Sequence, residues 1–351
     1  MRIEKEVKLD FNDILIKPSV TTNINSRSEI TPFDENGKLP LFTAPMDTVV
    51  DSTNLDIFYN LGINVTLPRG EFTRYNDVFQ SFSLKQFKDK FIGDECVNIP
   101  DGEKISVLID TANGHIKDLI VTTAKAKDIY GDKMILMVGN IANPETYTKL
   151  SYAGADLIRV GVGNGNGCLT TQQLGVGYPM VSLISECYNE SLTLDTPAKI
   201  VADGGMKDYS DIIKALALGA DYVMIGSIFN KCVESCGENY LKTSGSPIKI
   251  TQNEAINHFY NGDLGDGKVM KLFRGMSTKD VQQKWGNTNL KTSEGVVKYR
   301  EVEYSLTGWL DNFESYLRSA MSYTNSKTLY DFSDNAEFIR ISDNALNRFK
   351  K

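Results

Sequence analysis

Only two histidines, His115 and His258, occur in the 351 residues of this chain, which leaves little material for a zinc centre. Cys232 and Cys236, four apart on an expected helix, are the closest approach to a metal-ligand pair, and no further ligands accompany them. The five cysteines (96, 168, 187, 232 and 236) are odd in number and lack framework spacing. A disulfide scaffold is therefore not expected, and free thiols in a reducing cytosol are. No apolar run approaches the ~18 residues that mark a membrane span. The opening MRIEKEVKLD lacks the hydrophobic stretch of a signal peptide, so the expected location is cytoplasmic. Runs of basic residues are missing too, and the net charge is −7. Neither nucleic acid nor an anionic membrane surface is an expected partner. Internal repeats and low-complexity tracts are also absent.

What the chain does have is alternation. Short apolar runs read as strands at Leu41–Ala44, Ile63–Leu67, Ile105–Asp110, Met134–Val138, Leu157–Val162, Ile200–Ala202, Tyr222–Ile225 and Val269–Phe273. Amphipathic stretches at Ile116–Tyr130, Pro144–Ala153, Met180–Tyr188 and Tyr209–Leu218 read as helices between them. Eight such strands alternating with helices predict an α/β fold, a (β/α)8 TIM barrel, with an open doubly wound sheet as the competing arrangement. Two segments break the rhythm. Thr73–Gly102 is polar, aromatic and charged, and reads as an insertion with one or two helices. Ser277–Ser305 is rich in Lys, Gln, Asn and Thr and reads as a mobile flap inserted in a single domain spanning 1–351.

In such barrels the loops after the strands build the active site. The most informative of them is VGVGNGNGCLTTQQLGVGYP, Val160–Pro179, where Cys168 is set among Gly161, Gly163, Gly165, Gly167 and Gly175. Glycine permits positive φ and close approach of the backbone to a ligand. A thiol held there is placed to attack a bound molecule. Against this stands the ordinary fate of a lone cysteine, which is to be buried and inert. Asp203–Gly204–Gly205 and Gly226–Ser227, after the sixth and seventh expected strands, offer backbone N–H groups for a phosphate and a carboxylate for sugar hydroxyls. Tight turns with an N-capping aspartate are the alternative for each piece alone.

Taken in order, the motifs KLDFNDILIKP (8–18), APMDTV (44–49), DTANG (110–114), GADLIRVGVGNGNGC (154–168), GVGYP (175–179), ADGGMKDYSDIIKALALGADYVMIGS (202–227), KLFRGMS (271–277) and SEG (293–295) resemble the IMP dehydrogenase/GMP reductase family over nearly the full length. The resemblance implies a barrel, usually a homotetramer, that binds a purine nucleoside monophosphate and a nicotinamide cofactor. Thirty residues at Thr73–Gly102 cannot hold the regulatory CBS domains common among the dehydrogenases, and Ser277–Ser305 lacks their Arg-Tyr pair. The reductase branch is the closer match. It implies reductive deamination of GMP to IMP and ammonia with NADPH (NADH being the alternative cofactor). A dehydrogenase without CBS domains, converting IMP to XMP with NAD, and action on another purine nucleotide such as dGMP stay open.

By the same resemblance Cys168 is the nucleophile, with Thr170 and Glu294 as its proton relay. Asp203, Gly205, Gly226, Ser227, Met276, Ser277, Ser293 and Gly295 contact the nucleotide. Asp110 and Arg69 lie on the cofactor side, with Arg69 where the reductases usually have lysine. Backbone carbonyls of Gly163, Gly165 and Cys168 offer a place for K+. The chain departs from the family at Asn166, which replaces a phosphate-contacting serine, and at Lys291, which replaces a base-contacting arginine and cannot repeat its bidentate contact.

Overall fold

The computed structural model describes residues 3–94, 96–276, 278, 281, 283 and 295–349. Its centre is an eight-stranded parallel sheet made of β1 (Leu41–Thr43), β2 (Thr66–Leu67), β3 (Phe79–Phe82), β4 (Ile105–Asp110), β5 (Met134–Ile141), β6 (Leu157–Val160), β7 (Lys199–Asp203) and β8 (Tyr222–Ile225). Neighbours in sequence are neighbours in space, and β1 pairs in parallel with β8. The ring closes between β1 and the residues leading into β2. There Thr43 donates its N–H to Asn64 and Asn64 donates to Leu41, both at 3.0 Å. This is the (β/α)8 barrel. The open sheet is excluded by that closure.

Packing follows from side-chain alternation along each strand. One set points into the barrel, where Phe42 meets Phe79 and Tyr222 edge-on at 5.5 and 5.0 Å, over Leu108, Met137 and Val201. The other set packs on surrounding helices, among them Lys117–Tyr130, Pro144–Tyr152, Met180–Ser191, Tyr209–Ala217 and Leu306–Tyr323. Asn143 caps the second of these through Oδ1, with Pro144 at its first position, so this helix begins where its sequence says it must.

Two expectations about the strands need correction. The third barrel strand is Phe79–Phe82, inside the stretch read as a helical insertion; only Leu84–Phe91 of that stretch is helix. FQSF is short and half polar, so it lacks the apolar run that marks β6 or β8. Conversely, Val269–Phe273 is not a barrel strand. It lies within β11 (Lys268–Arg274) of a separate antiparallel sheet, ordered β10 (Ile248–Ile250), β9 (Asn239–Lys242), β11, β12 (Val297–Glu301). In β11 buried and partly exposed residues alternate, whereas β6 and β8 are buried throughout. That contrast separates a one-faced antiparallel strand from a barrel strand buried on both sides. The last part of the stretch expected as a flap is thus β12, paired with β11 from Met270–Glu301 to Arg274–Val297. Cys232 and Cys236 also fall differently: they follow a single 3-10 turn, Phe229–Lys231, and share no helix.

The antiparallel sheet sits between β8 and the final barrel helix in sequence, and it reaches back over the barrel mouth. Arg274 Nε donates to Asp47 Oδ1 at 3.1 Å, tying the end of β11 to the loop after β1. Val296 donates its N–H to the Gly167 carbonyl at 3.1 Å, and Cys168 forms an antiparallel bridge with Gly295. Gly275 is fitted to this closeness, since a Cβ there would stand 2.3 Å from the Gly167 carbonyl oxygen. No helix among the described residues is long and apolar enough to cross a membrane.

Candidate active site

With Phe79–Phe82 as the third barrel strand, the two glycine-bearing loops follow β7 and β8, the usual place for a phosphate in such barrels. Gly205 and Ser227 keep their amide N–H groups free of protein acceptors among the described residues. Asn166 reaches across from the cysteine loop, its Nδ2 donating to Ser227 Oγ at 3.1 Å. The residue that departs from the family's serine therefore turns its amide toward the same cradle.

Cys168 and Thr170 face each other beside it, with Sγ 3.1 Å from the threonine Oγ1. Both line one pocket together with Gly163, Gly165, Asp203 and Asp110. Gly205, Gly226, Ser227 and Met276 line the same pocket. Gly295 touches the site through its bridge to Cys168. Glu294, Ser277 and Ser293 lie outside the described residues, as does Lys291. The other buried cysteines show what the inert alternative looks like. Burial pushes the Cys187 and Cys232 thiols well up, and neither lines the pocket. Gly161 lets the strand turn into this loop at φ +136, and a Cβ there would come 2.0 Å from the Asp203 carbonyl oxygen.

The floor of the pocket holds a residue that the sequence reading passed over. Arg159, on β6, is 6% exposed and spans two carboxylates. It donates to Asp110 Oδ1 at 2.9 Å and to Asp203 Oδ2 at 2.8 Å. Arg69 Nε donates to Asp110 Oδ2 at 3.0 Å from the other side, so the two residues expected on the cofactor side are an ion pair. Asn140 Nδ2 completes the row on Asp203 Oδ2 at 2.7 Å. These contacts leave Asp203 Oδ1 without a protein donor among the described residues, available to a ligand hydroxyl. The signal for Arg159 was present as a lone charge inside the apolar run Leu157–Ile158–Arg159–Val160.

Burial works against the charge of Asp110, but Arg69 and Arg159 outweigh it and hold the carboxyl below its ordinary range. A depressed native-state value contributes stability that is full above the unfolded value and lost as pH falls through the folded one. The thermal midpoint is therefore expected to drop on acidification from about pH 5 toward pH 3. Circular dichroism melts should show a shallower drop in Asp110→Asn than in the native chain.

The model of the IMP dehydrogenase / GMP reductase domain matches residues 103–349. The chain belongs to the IMP dehydrogenase/GMP reductase family. Curated relatives match over nearly their whole length. The protein named GMP reductase of Caenorhabditis elegans is 28% identical, with 97% of this chain and 94% of the relative covered. Those named GMP reductase of Vibrio vulnificus (strain YJ016) and Aliivibrio fischeri (strain ATCC 700601 / ES114) are each 28% identical across 100% of this chain. Membership makes the protein a purine-nucleotide oxidoreductase, and the nicotinamide cofactor comes with the family.

Proposed function

We propose that this protein reduces GMP to IMP, releasing ammonia and consuming NADPH, with Cys168 as the covalent nucleophile. The observation that carries the reading is the Cys168–Thr170 contact at 3.1 Å, in a pocket that also presents Asp203 and the glycine-bearing loops after β7 and β8. The relatives' printed names point to the same reaction.

In this reading the phosphate rests on the N–H groups of Gly205 and Ser227, and Asp203 Oδ1 accepts from the ribose. Met276, Ser277, Ser293 and Gly295 hold the purine so that its C2 lies over Cys168. The sulfur bonds to C2, and the bond between C2 and the exocyclic nitrogen breaks. Thr170, backed by Glu294, passes the proton that lets ammonia depart. A reduced nicotinamide, when bound, supplies the hydride that C2 then takes, and cleavage of the C–S bond returns the thiolate and frees IMP. Ala112 and the paired Asp110 line the pocket and suit a flat, uncharged ring, with Arg69 fixing the carboxylate. The carbonyl set offered for K+ fits less well. Gly165 already accepts the Cys168 N–H at 2.9 Å, and no step runs through a cation.

Thr170→Val is expected to lower kcat by roughly 10²- to 10⁴-fold with little change in KM, as the loss of a proton relay does. Steady-state kinetics decide it; a KM effect alone would make Thr170 a binding residue. The reaction itself is tested by following nicotinamide absorbance with GMP, dGMP, IMP and XMP against NADPH and NADH. GMP-dependent oxidation with one ammonia released per turnover is expected. Reduction of NAD by IMP, without GMP-dependent oxidation, would make the protein a dehydrogenase instead.

A further inference from the structure

The pocket balances its own charges: Asp110 and Asp203 are matched by Arg69 and Arg159. Nothing in that set is left to neutralise a phosphate dianion, and the glycines, Ser227 and Asn166 of the cradle are uncharged. One further cation stands behind the cradle. Arg300, on β12, donates from Nη1 to the carbonyl oxygen of Ser227 at 3.3 Å. Its guanidinium lies over the Phe273 ring, 4.6 Å from the centroid. Ser227 and Phe273 both line the pocket, so the guanidinium is braced by two residues of the pocket wall. It forms no ion pair with a described residue. The neighbouring carboxylate of Glu303 is taken by Lys231 at 2.7 Å. With one hydrogen bond to a described residue, this half-buried guanidinium keeps further N–H donors available to an anion.

We propose that Arg300 is the counter-charge for the phosphate of the bound nucleotide, and that it makes the site select a phosphorylated nucleoside over the nucleoside itself. This rests on the nucleotide reading of the pocket above and adds to it a residue from the antiparallel sheet. The stacking on Phe273 fixes the guanidinium plane, and its hydrogen bond to Ser227 couples that plane to the loop whose N–H groups meet the phosphate. β12 then has two tasks at the site: its approach segment backs Cys168, and Arg300 charges the cradle.

The test is calorimetric binding of GMP, guanosine and ribose 5-phosphate to the native chain, Arg300→Gln and Arg300→Lys. Gln keeps a donor for Ser227 without the charge, and Lys keeps the charge without the fork. Arg300→Gln is expected to weaken GMP and ribose 5-phosphate by roughly 10- to 100-fold and leave guanosine unchanged. Arg300→Lys should recover much of that loss. Equal weakening of GMP and guanosine, or no weakening of either phosphate ligand, would overturn the assignment. Should the native chain bind ribose 5-phosphate through Arg300 but no purine nucleotide, Arg300 would stand and the purine reading would fall. Should it bind no phosphate ligand at all, both would fall.

Discussion

Cys168→Ala is expected to abolish turnover, with kcat reduced by at least about 10⁴-fold, while GMP still binds. The magnitude follows from the role. In the proposed reaction the sulfur is the atom that bonds to C2, so its removal leaves no alternative covalent route. Among the described residues the thiol's hydrogen-bond partner is Thr170 Oγ1, and the loop is held by backbone bonds from Cys168 N to Gly165 and from Val296 N to Gly167. Alanine keeps those bonds. Stability and nucleotide affinity should therefore stay near those of the native chain. A Cys168→Ala protein that turned over at even a tenth of the native rate would remove the nucleophile from the scheme.

The second large effect is expected at Arg159. Arg159→Met retains the volume but strips the bridge from Asp110 and Asp203. Burial disfavours the arginine's own charge, yet Asp203 and Asp110 more than restore it. Removing one member of a buried charged set leaves the others uncompensated, which costs about 3–5 kcal/mol. For a chain of this size that is a fall in thermal midpoint of roughly 4–7 °C. Asp110 keeps Arg69 as a partner, so most of the damage falls on Asp203, left with Asn140 as its side-chain donor among the described residues. Adding Asp203→Asn should then recover part of the stability, a coupling that a double-mutant cycle in differential scanning calorimetry would expose. An unchanged midpoint in Arg159→Met would show the bridge to be of no consequence for the fold.

These two residues also mark what could be read in advance. The role of Cys168 as nucleophile came from the family resemblance, but its placement in a glycine-bearing loop at the end of a strand, two residues before Thr170, was legible because it is local, all within one stretch of chain. Arg159 was not, because its meaning depends on partners 49 and 44 residues away that only barrel closure brings together. The pairing of Arg69 with Asp110 across 41 residues is of the same kind. At the level of the fold, runs buried on both sides, such as Tyr222–Ile225, announced themselves as barrel strands. Phe79–Phe82 did not, since its polar half leaves no run to find. Val269–Phe273 misled for the opposite reason: it is apolar enough to count as a strand, and its alternation is hidden by residue type, since the buried set Val269, Lys271 and Phe273 has a lysine at its centre while Met270 and Leu272 face the other way. The true third strand has a chemical consequence, because it sets the glycine loops after the seventh and eighth strands, where a phosphate is expected.

The central claim is that Cys168 carries the purine during turnover, and mass spectrometry of the intact protein and its peptides tests it most directly. Native protein incubated with GMP and quenched in acid is expected to carry a purine-nucleotide adduct on the peptide containing Cys168, discharged when NADPH is added before the quench. An adduct on any other residue, or turnover of GMP without one at Cys168 under conditions that preserve thioether-type linkages, would contradict the account.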